Sequence, residues 1–171
     1  MPIRDILHLG NPMLWEKSAP VSDIDSEETG LLIEDLRDTL RAFYYANGYG
    51  RGIAAPQIGV LKRIVWIRMR PEGFCAALIN PEIVWQDTAR YELWDDCLSF
   101  PDLLVRVTRA VAVKVKYTDI GGFEQELRAE GDLSELLQHE IDHLDGILSI
   151  HRAVSPQAFA SREEWERLYS E

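Results

Sequence analysis

The sequence predicts an α+β fold: antiparallel β-sheets packed around a central helix that carries an HExxH motif. Three observations lead there. A run with helical periodicity comes first, a block of strand-like segments follows, and a second helical run comes after it, without the strict alternation of a doubly wound sheet. His139-Glu140-Ile141-Asp142-His143 falls inside that second run. A chain of 171 residues with 46% hydrophobic content is long and apolar enough for one domain with its own core, expected over 1–171 with a short tail from about 155.

Taken in order, Asn11-Pro12 is a turn signal. Asp25 and Glu28 stand at capping-box spacing. Leu32, Leu36, Leu40 and Phe43 then recur at helical intervals, which predicts a helix over 26–46. Gly30 weakens its first turn, and Asn47-Gly48-Tyr49-Gly50-Arg51-Gly52 ends it in a loop. Strands are expected over 63–69, 75–80, 83–86, 105–108 and 111–117. Asp119-Ile120-Gly121-Gly122 turns the chain back into an antiparallel partner over 123–129. Asp132 and Glu135 have capping-box spacing at the start of the second helix, and Leu133, Leu136, Leu137, Ile141 and Leu144 give it an apolar face. A short amphipathic helix is expected over 162–169.

Composition excludes several classes. The net charge of −11 repels phosphate backbones, which argues against nucleic acid as the main ligand and suits a soluble surface. No apolar run approaches the roughly 18 residues of a membrane helix. Met1-Pro2-Ile3-Arg4-Asp5 soon reaches charge and lacks a signal-peptide core, so a cytoplasmic location is expected, with no membrane partner and no DNA. Cys75 and Cys97 form no CxxC pair and are expected to be free thiols.

The HExxH run carries the chemistry. Residues four apart share a helix face, so His139 and His143 can reach one metal ion. Glu140 can reach a water in an open coordination position without being a ligand itself. A catalytic site needs a third protein ligand. A third histidine six residues beyond His143 is ruled out, because that position is Ser149. Glu163, Glu164 and Glu166 are in range but read more simply as a solvated helix face. Cys97, in a loop between two strands, can be aimed at the helix, and a metal would hold its thiol deprotonated. Cys75 sits in the apolar run Phe74-Cys75-Ala76-Ala77 and reads as core. His8 and His151 have no partner spacing and read as structural or exposed.

Three segments together resemble the peptide deformylases. Gly50-Arg51-Gly52-Ile53-Ala54-Ala55-Pro56-Gln57 is similar to the family's GxGxAAxQ. Cys97-Leu98-Ser99 is similar to the core of its EGCLS, and Gln138 to Gly146 to its QHExDHLxG. Their order and spacing also fit, and the likeness runs over about 7–150. The resemblance implies a deformylase-like fold and a metal-dependent amidase that removes formyl from the N-terminal methionine of new proteins. It implies Cys97, His139 and His143 as ligands of one divalent ion, Fe2+ first, with Zn2+, Ni2+ or Co2+ as substitutes. Glu140 would act as general base and then acid. The Gln57 side chain and the Leu98 backbone N–H would hold the oxyanion. Gly50, Arg51, Gly52, Asp95, Asp96, Glu135 and Leu136 would line the substrate groove. Formylated nascent peptides, and with them the ribosome, are the implied partners.

The chain departs from the family at the rim of this site. Asp95-Asp96 replaces the usual Glu-Gly before the cysteine. Glu135 and Asp132 stand where the family has apolar residues that line its methionine pocket. Both can serve the helix start; alternatively the pocket has become polar, with Arg51 facing Glu135 or Asp96. Leu104 stands where many members have a substrate-gripping arginine. The resulting alternative function is a deformylase-like amidase for another formamide or small amide. A non-enzymatic binding protein is the third class, disfavoured because a structural metal site needs neither Glu140 nor Gln57.

Overall fold

The computed structural model describes residues 3–69 and 72–170. The reading of the N-terminus rests partly on Met1 and Pro2, which lie outside the described residues. The elements are α1 (Glu27–Asn47), β1 (Gly52–Ala54), β2 (Ile64–Arg68), β3 (Cys75–Gln86), β4 (Arg90–Asp95), β5 (Leu103–Ala110), β6 (Ala112–Thr118), β7 (Glu124–Glu130), α2 (Gly131–Leu144), β8 (Phe159–Ser161) and α3 (Arg162–Tyr169). One antiparallel sheet runs β1-β2-β3-β6-β7 and a second runs β4-β5-β8. This is the expected α+β class.

Strand alternation explains how the helices bracket the larger sheet. Ile53, Ile64 and Ile79 pack with Leu32, Leu36 and Leu40 of α1. Their chain neighbours Ala54, Val65 and Leu78 pack with Leu136, Leu137, Ile141 and Leu144 of α2. The second sheet contributes Val105 and Val107 to a third cluster with Leu14, Cys97, Phe100 and Leu148. Ala110 of β5 also joins the α2 cluster, so α2 is held between the two sheets. Every α2 residue from Ser134 to Leu144 is buried, as a helix covered on all sides requires.

Several local expectations are corrected. The cap of α1 is Ser26, which accepts from the Thr29 N–H at 3.2 Å, one residue past the Asp25/Glu28 box. The α2 N-cap is Glu130, with no side-chain cap bond, so Asp132 and Glu135 form no capping box. Gly131 enters that helix at φ 58°, a turn only glycine makes easily. The two strands expected around Asn80-Pro81 are one irregular strand, β3, with register shifts after Ile79 and after Ile83. Asn80 takes φ 52° there and clasps the Val21 backbone through its amide. Cys75 is exposed, not core: it opens β3 opposite Arg68, before Ala77, Leu78 and Ile79 where the helices cover the sheet. Leu104 is buried and pairs with Ala160 of β8. Both cysteines are free, as expected. No helix among the described residues is long and apolar enough to cross a membrane.

Candidate active site

Three short pieces of chain meet beside α2. The helix presents His139 and His143 one turn apart. The loop after β4 presents Cys97, and the loop before β1 runs along the opposite wall. Candidate ligand atoms of Cys97, His139 and His143 all lie within 4.8 Å of one another, and all three residues are buried. The two Nε2 atoms are 3.2 Å apart, and Cys97 Sγ is 3.4 Å from His143 Nε2. Tetrahedral coordination at ordinary bond lengths would separate such donors by about 3.4–3.6 Å. Glu163, Glu164 and Glu166 belong to α3 and are not in this group.

The surroundings treat the two imidazoles differently. His139 Nδ1 is 2.9 Å from Asp95 Oδ2, which leaves Nε2 for the interior. Burial would lower the His139 pKa, but the Asp95 carboxylate and the Cys97 sulfur hold it well above the usual histidine range. Burial likewise acts to raise Asp95, yet His139 and Arg109 keep it below the usual carboxylate range. His143 is held well below its usual value by burial and by the charge on His139. A thiol, an imidazole oriented by a carboxylate and a neutral imidazole suit a divalent cation.

A network of hydrogen bonds fixes these groups. Arg109 of β5 donates to Asp95 at 3.2 Å and to Asp142 at 2.6 Å. Arg152 adds two bonds to Asp142, at 2.6 and 2.8 Å. Gln138 accepts from the Ala110 N–H at 2.9 Å and donates to the Ala110 carbonyl at 3.0 Å, tying α2 to the end of β5. Sequence reasoning missed Arg109, Asp142, Arg152 and the docking role of Gln138. The visible signal was an arginine in period-two register with two valines, Val105, Val107 and Arg109.

The reactive groups open onto a cleft of about 460 Å3 lined by Gly50, Arg51, Gly52, Leu98, Leu136 and Glu140 among others. Glu140 is buried, and its Oε2 has no hydrogen-bond partner among the described residues. Burial pushes its carboxyl up to about 7. Gln57 lies in the 3-10 turn Ala55–Ile58. Its Oε1 accepts from the Ala54 N–H at 2.9 Å, so its Nε2 points toward Ser99 Oγ at 3.1 Å and Cys97 Sγ at 3.6 Å. Gly52 passes so close to Glu140 that a Cβ would stand 2.6 Å from Oε1.

The rim residues divide. Asp95, expected to bind substrate, lines the cleft but turns its carboxylate onto His139 and Arg109 instead. Asp96 also lines the cleft and is paired at 2.8 Å with Arg162 of α3. Arg162 further donates to the Pro101 carbonyl at 2.7 Å and stacks 3.9 Å above the Tyr49 ring. Glu135 is buried behind Arg51, whose Nη2 it accepts at 2.5 Å. Of the partners considered for Arg51, Glu135 is the one it bonds.

A buried Cys–His–His group that could hold a metal, beside a glutamate whose Oε2 has no partner among the described residues, is the arrangement of a metal-dependent hydrolase. The polypeptide deformylase family model matches residues 3–159, and the chain belongs to that family. A peptide deformylase of Brachyspira hyodysenteriae is 40% identical over 97% of this chain and 89% of its own. The crystal structure of the Thermotoga maritima peptide deformylase superposes with a TM-score of 0.82 at 33% identity, covering 91% of this chain and all of that one. The Legionella pneumophila peptide deformylase gives 0.82 at 38% identity over 97% and 92%.

Proposed function

We propose that this chain hydrolyses the N-terminal formyl group of newly made proteins, with Cys97, His139 and His143 holding one divalent ion. The observation that carries the proposal is the convergence of those three donors beside the buried, unpartnered Glu140. Fe2+ is proposed as the ion because the motifs resemble those of the iron-using family; Zn2+, Ni2+ and Co2+ suit the same donors. The relatives reported above all carry the deformylase name, which favours this reading over an amidase for some other formamide.

A divalent ion bound there supplies a Lewis acid and makes water acidic enough to ionise near neutral pH. Glu140 takes a proton from the attacking water as oxygen adds to the formyl carbon. The Gln57 Nε2–H and the Leu98 backbone N–H donate to the oxyanion that develops. Glu140 then gives its proton to the amine nitrogen as the C–N bond breaks, leaving formate and a free N-terminus. Asp95 acts through His139, holding its ring and tautomer. Gly50 and Gly52 let the loop backbone approach the bound peptide, and Arg51, Asp96 and Leu136 bound the groove. The reaction is proposed to occur in the cytoplasm on nascent peptides at the ribosome; the net charge of −11 disfavours direct contact with its RNA.

The test is kcat/KM on formyl-Met-Ala-Ser, measured anaerobically with Fe2+ or Ni2+, for the native protein and Glu140→Ala. Turnover that falls by a factor on the order of 10²–10⁴ in the variant is expected. No turnover by metal-loaded native protein would overturn the proposal.

A further inference from the structure

The cleft wall next to the reacting centre is charged. Glu135 lies one turn before His139 on α2 and shares its face. It is only 4% exposed, and its second oxygen, Oε2, has no hydrogen-bond partner among the described residues. Arg51 reaches it from the facing wall, immediately before Gly52, which abuts Glu140. The Arg51 side chain is 35% exposed and lines the cleft beside Leu136. A guanidinium carries five N–H groups, and the described hydrogen bonds of this side chain use one.

The substrate's Cα is two bonds from its formyl carbon. With that carbon held at Cys97, His139 and His143, the first side chain extends roughly one helical turn, about 5.4 Å, which is the distance scale from His139 back to Glu135. Arg51 lines the cleft beside Leu136 and His139, with Glu135 behind it, so the tip meets Arg51 there. A guanidinium that loses water to a hydrocarbon is left with unpaired donors, whereas an acceptor replaces the lost bonds. The charges nearby narrow the choice. A cationic tip would be repelled by Arg51, and an anionic tip would face Glu135, Asp96 and Asp132, all of which act on Arg51.

We propose that Arg51 and Glu135 determine specificity for the first side chain. They favour formylated peptides whose side chain ends in a neutral hydrogen-bond acceptor: methionine, and above all methionine sulfoxide, over a hydrocarbon of equal length. The inference rests on the deformylase reading.

The experiment compares kcat/KM of the metal-loaded full chain on formyl-methionine-sulfoxide-Ala-Ser and formyl-norleucine-Ala-Ser, with formyl-Met-Ala-Ser as reference. A sulfoxide-to-norleucine ratio of about ten or more is expected; any smaller ratio overturns the inference. In the Arg51→Met/Glu135→Leu double variant, which leaves no buried charge unpaired, that ratio should fall at least about tenfold. An unchanged ratio in the folded variant also overturns it. If the variant does not fold, the native ratio still decides. Absence of turnover on every formyl peptide overturns the deformylase reading together with this one, whereas turnover with norleucine preferred overturns this one alone.

Discussion

Residue-scale geometry around Glu140 leaves little room. The Cβ of a Gly52→Ala variant would stand 2.6 Å from Glu140 Oε1 and 2.9 Å from its Cγ, so the carboxylate must move. Gly52 lies outside the left-handed region, so its backbone tolerates alanine. The expected outcome is a loss of kcat on the order of a hundredfold, the scale of a misplaced catalytic group. Thermal melting should show a nearly unchanged Tm. The same carboxylate sets a pH dependence. Its ionised form is the one that accepts a proton, and burial pushes it up to about 7. A bound divalent cation favours the ionised form and draws the titration lower. kcat/KM should therefore fall with decreasing pH along a limb that lies below pH 7. A profile flat between roughly pH 5 and 8 would remove Glu140 from the base role. The two histidines and Glu140 were legible because a motif and its spacing name them, and Cys97 through the resemblance of its loop to a family motif. The Glu135–Arg51 pair joins residues 84 apart; the sequence offered it beside Asp96 as one of two partners for Arg51, and the fold chooses Glu135.

Among the elements, α2 owes its position to groups that local patterns do not reveal. Its apolar spacing predicted the helix, and eleven consecutive buried residues show why it lasts without a side-chain cap. The polar side chains of Ser134 and Gln138 are engaged by the Ala110 backbone, and Asp142 by Arg109 and Arg152. The strand that brings Asp95 to His139, β4, was not predicted: Arg90-Tyr91-Glu92-Leu93-Trp94-Asp95 mixes charge with aromatics, and its pairing with β5 makes it a strand. The three-residue β1 and β8 are too short to show a period. This arrangement gives Asp95 a measurable role. Asp95→Asn removes the charge that orients His139 while keeping the shape. Metal affinity should fall about 10–100-fold, read by competition with a chelator, as for other partners that hold a metal-binding histidine.

For the whole molecule, the clusters on the two faces of the larger sheet hold the cleft in register. Leu137 is fully buried in the α2 cluster, and Leu137→Ala should cost about 2–5 kcal/mol, seen in denaturant unfolding as a lower midpoint at constant slope. At the cleft mouth, Arg162 joins Asp96 and the Pro101 carbonyl on one lip to Tyr49 on the other. Arg162→Ala should raise KM about three- to tenfold with a smaller change in kcat, and Arg162→Lys should recover only part, since lysine lacks the flat face that stacks on Tyr49. The sequence announced α3 by its amphipathic spacing, but gave no sign that its first residue closes over a loop more than 60 positions earlier. That clasp also orders events during synthesis. The ribosome releases Tyr49 first, Asp96 next and Arg162 last, so the proposed metal ligands and base have all been synthesised before the fastener that joins the two lips. Because a domain folds as a unit, the cleft can close at its mouth only once Arg162 has joined the chain.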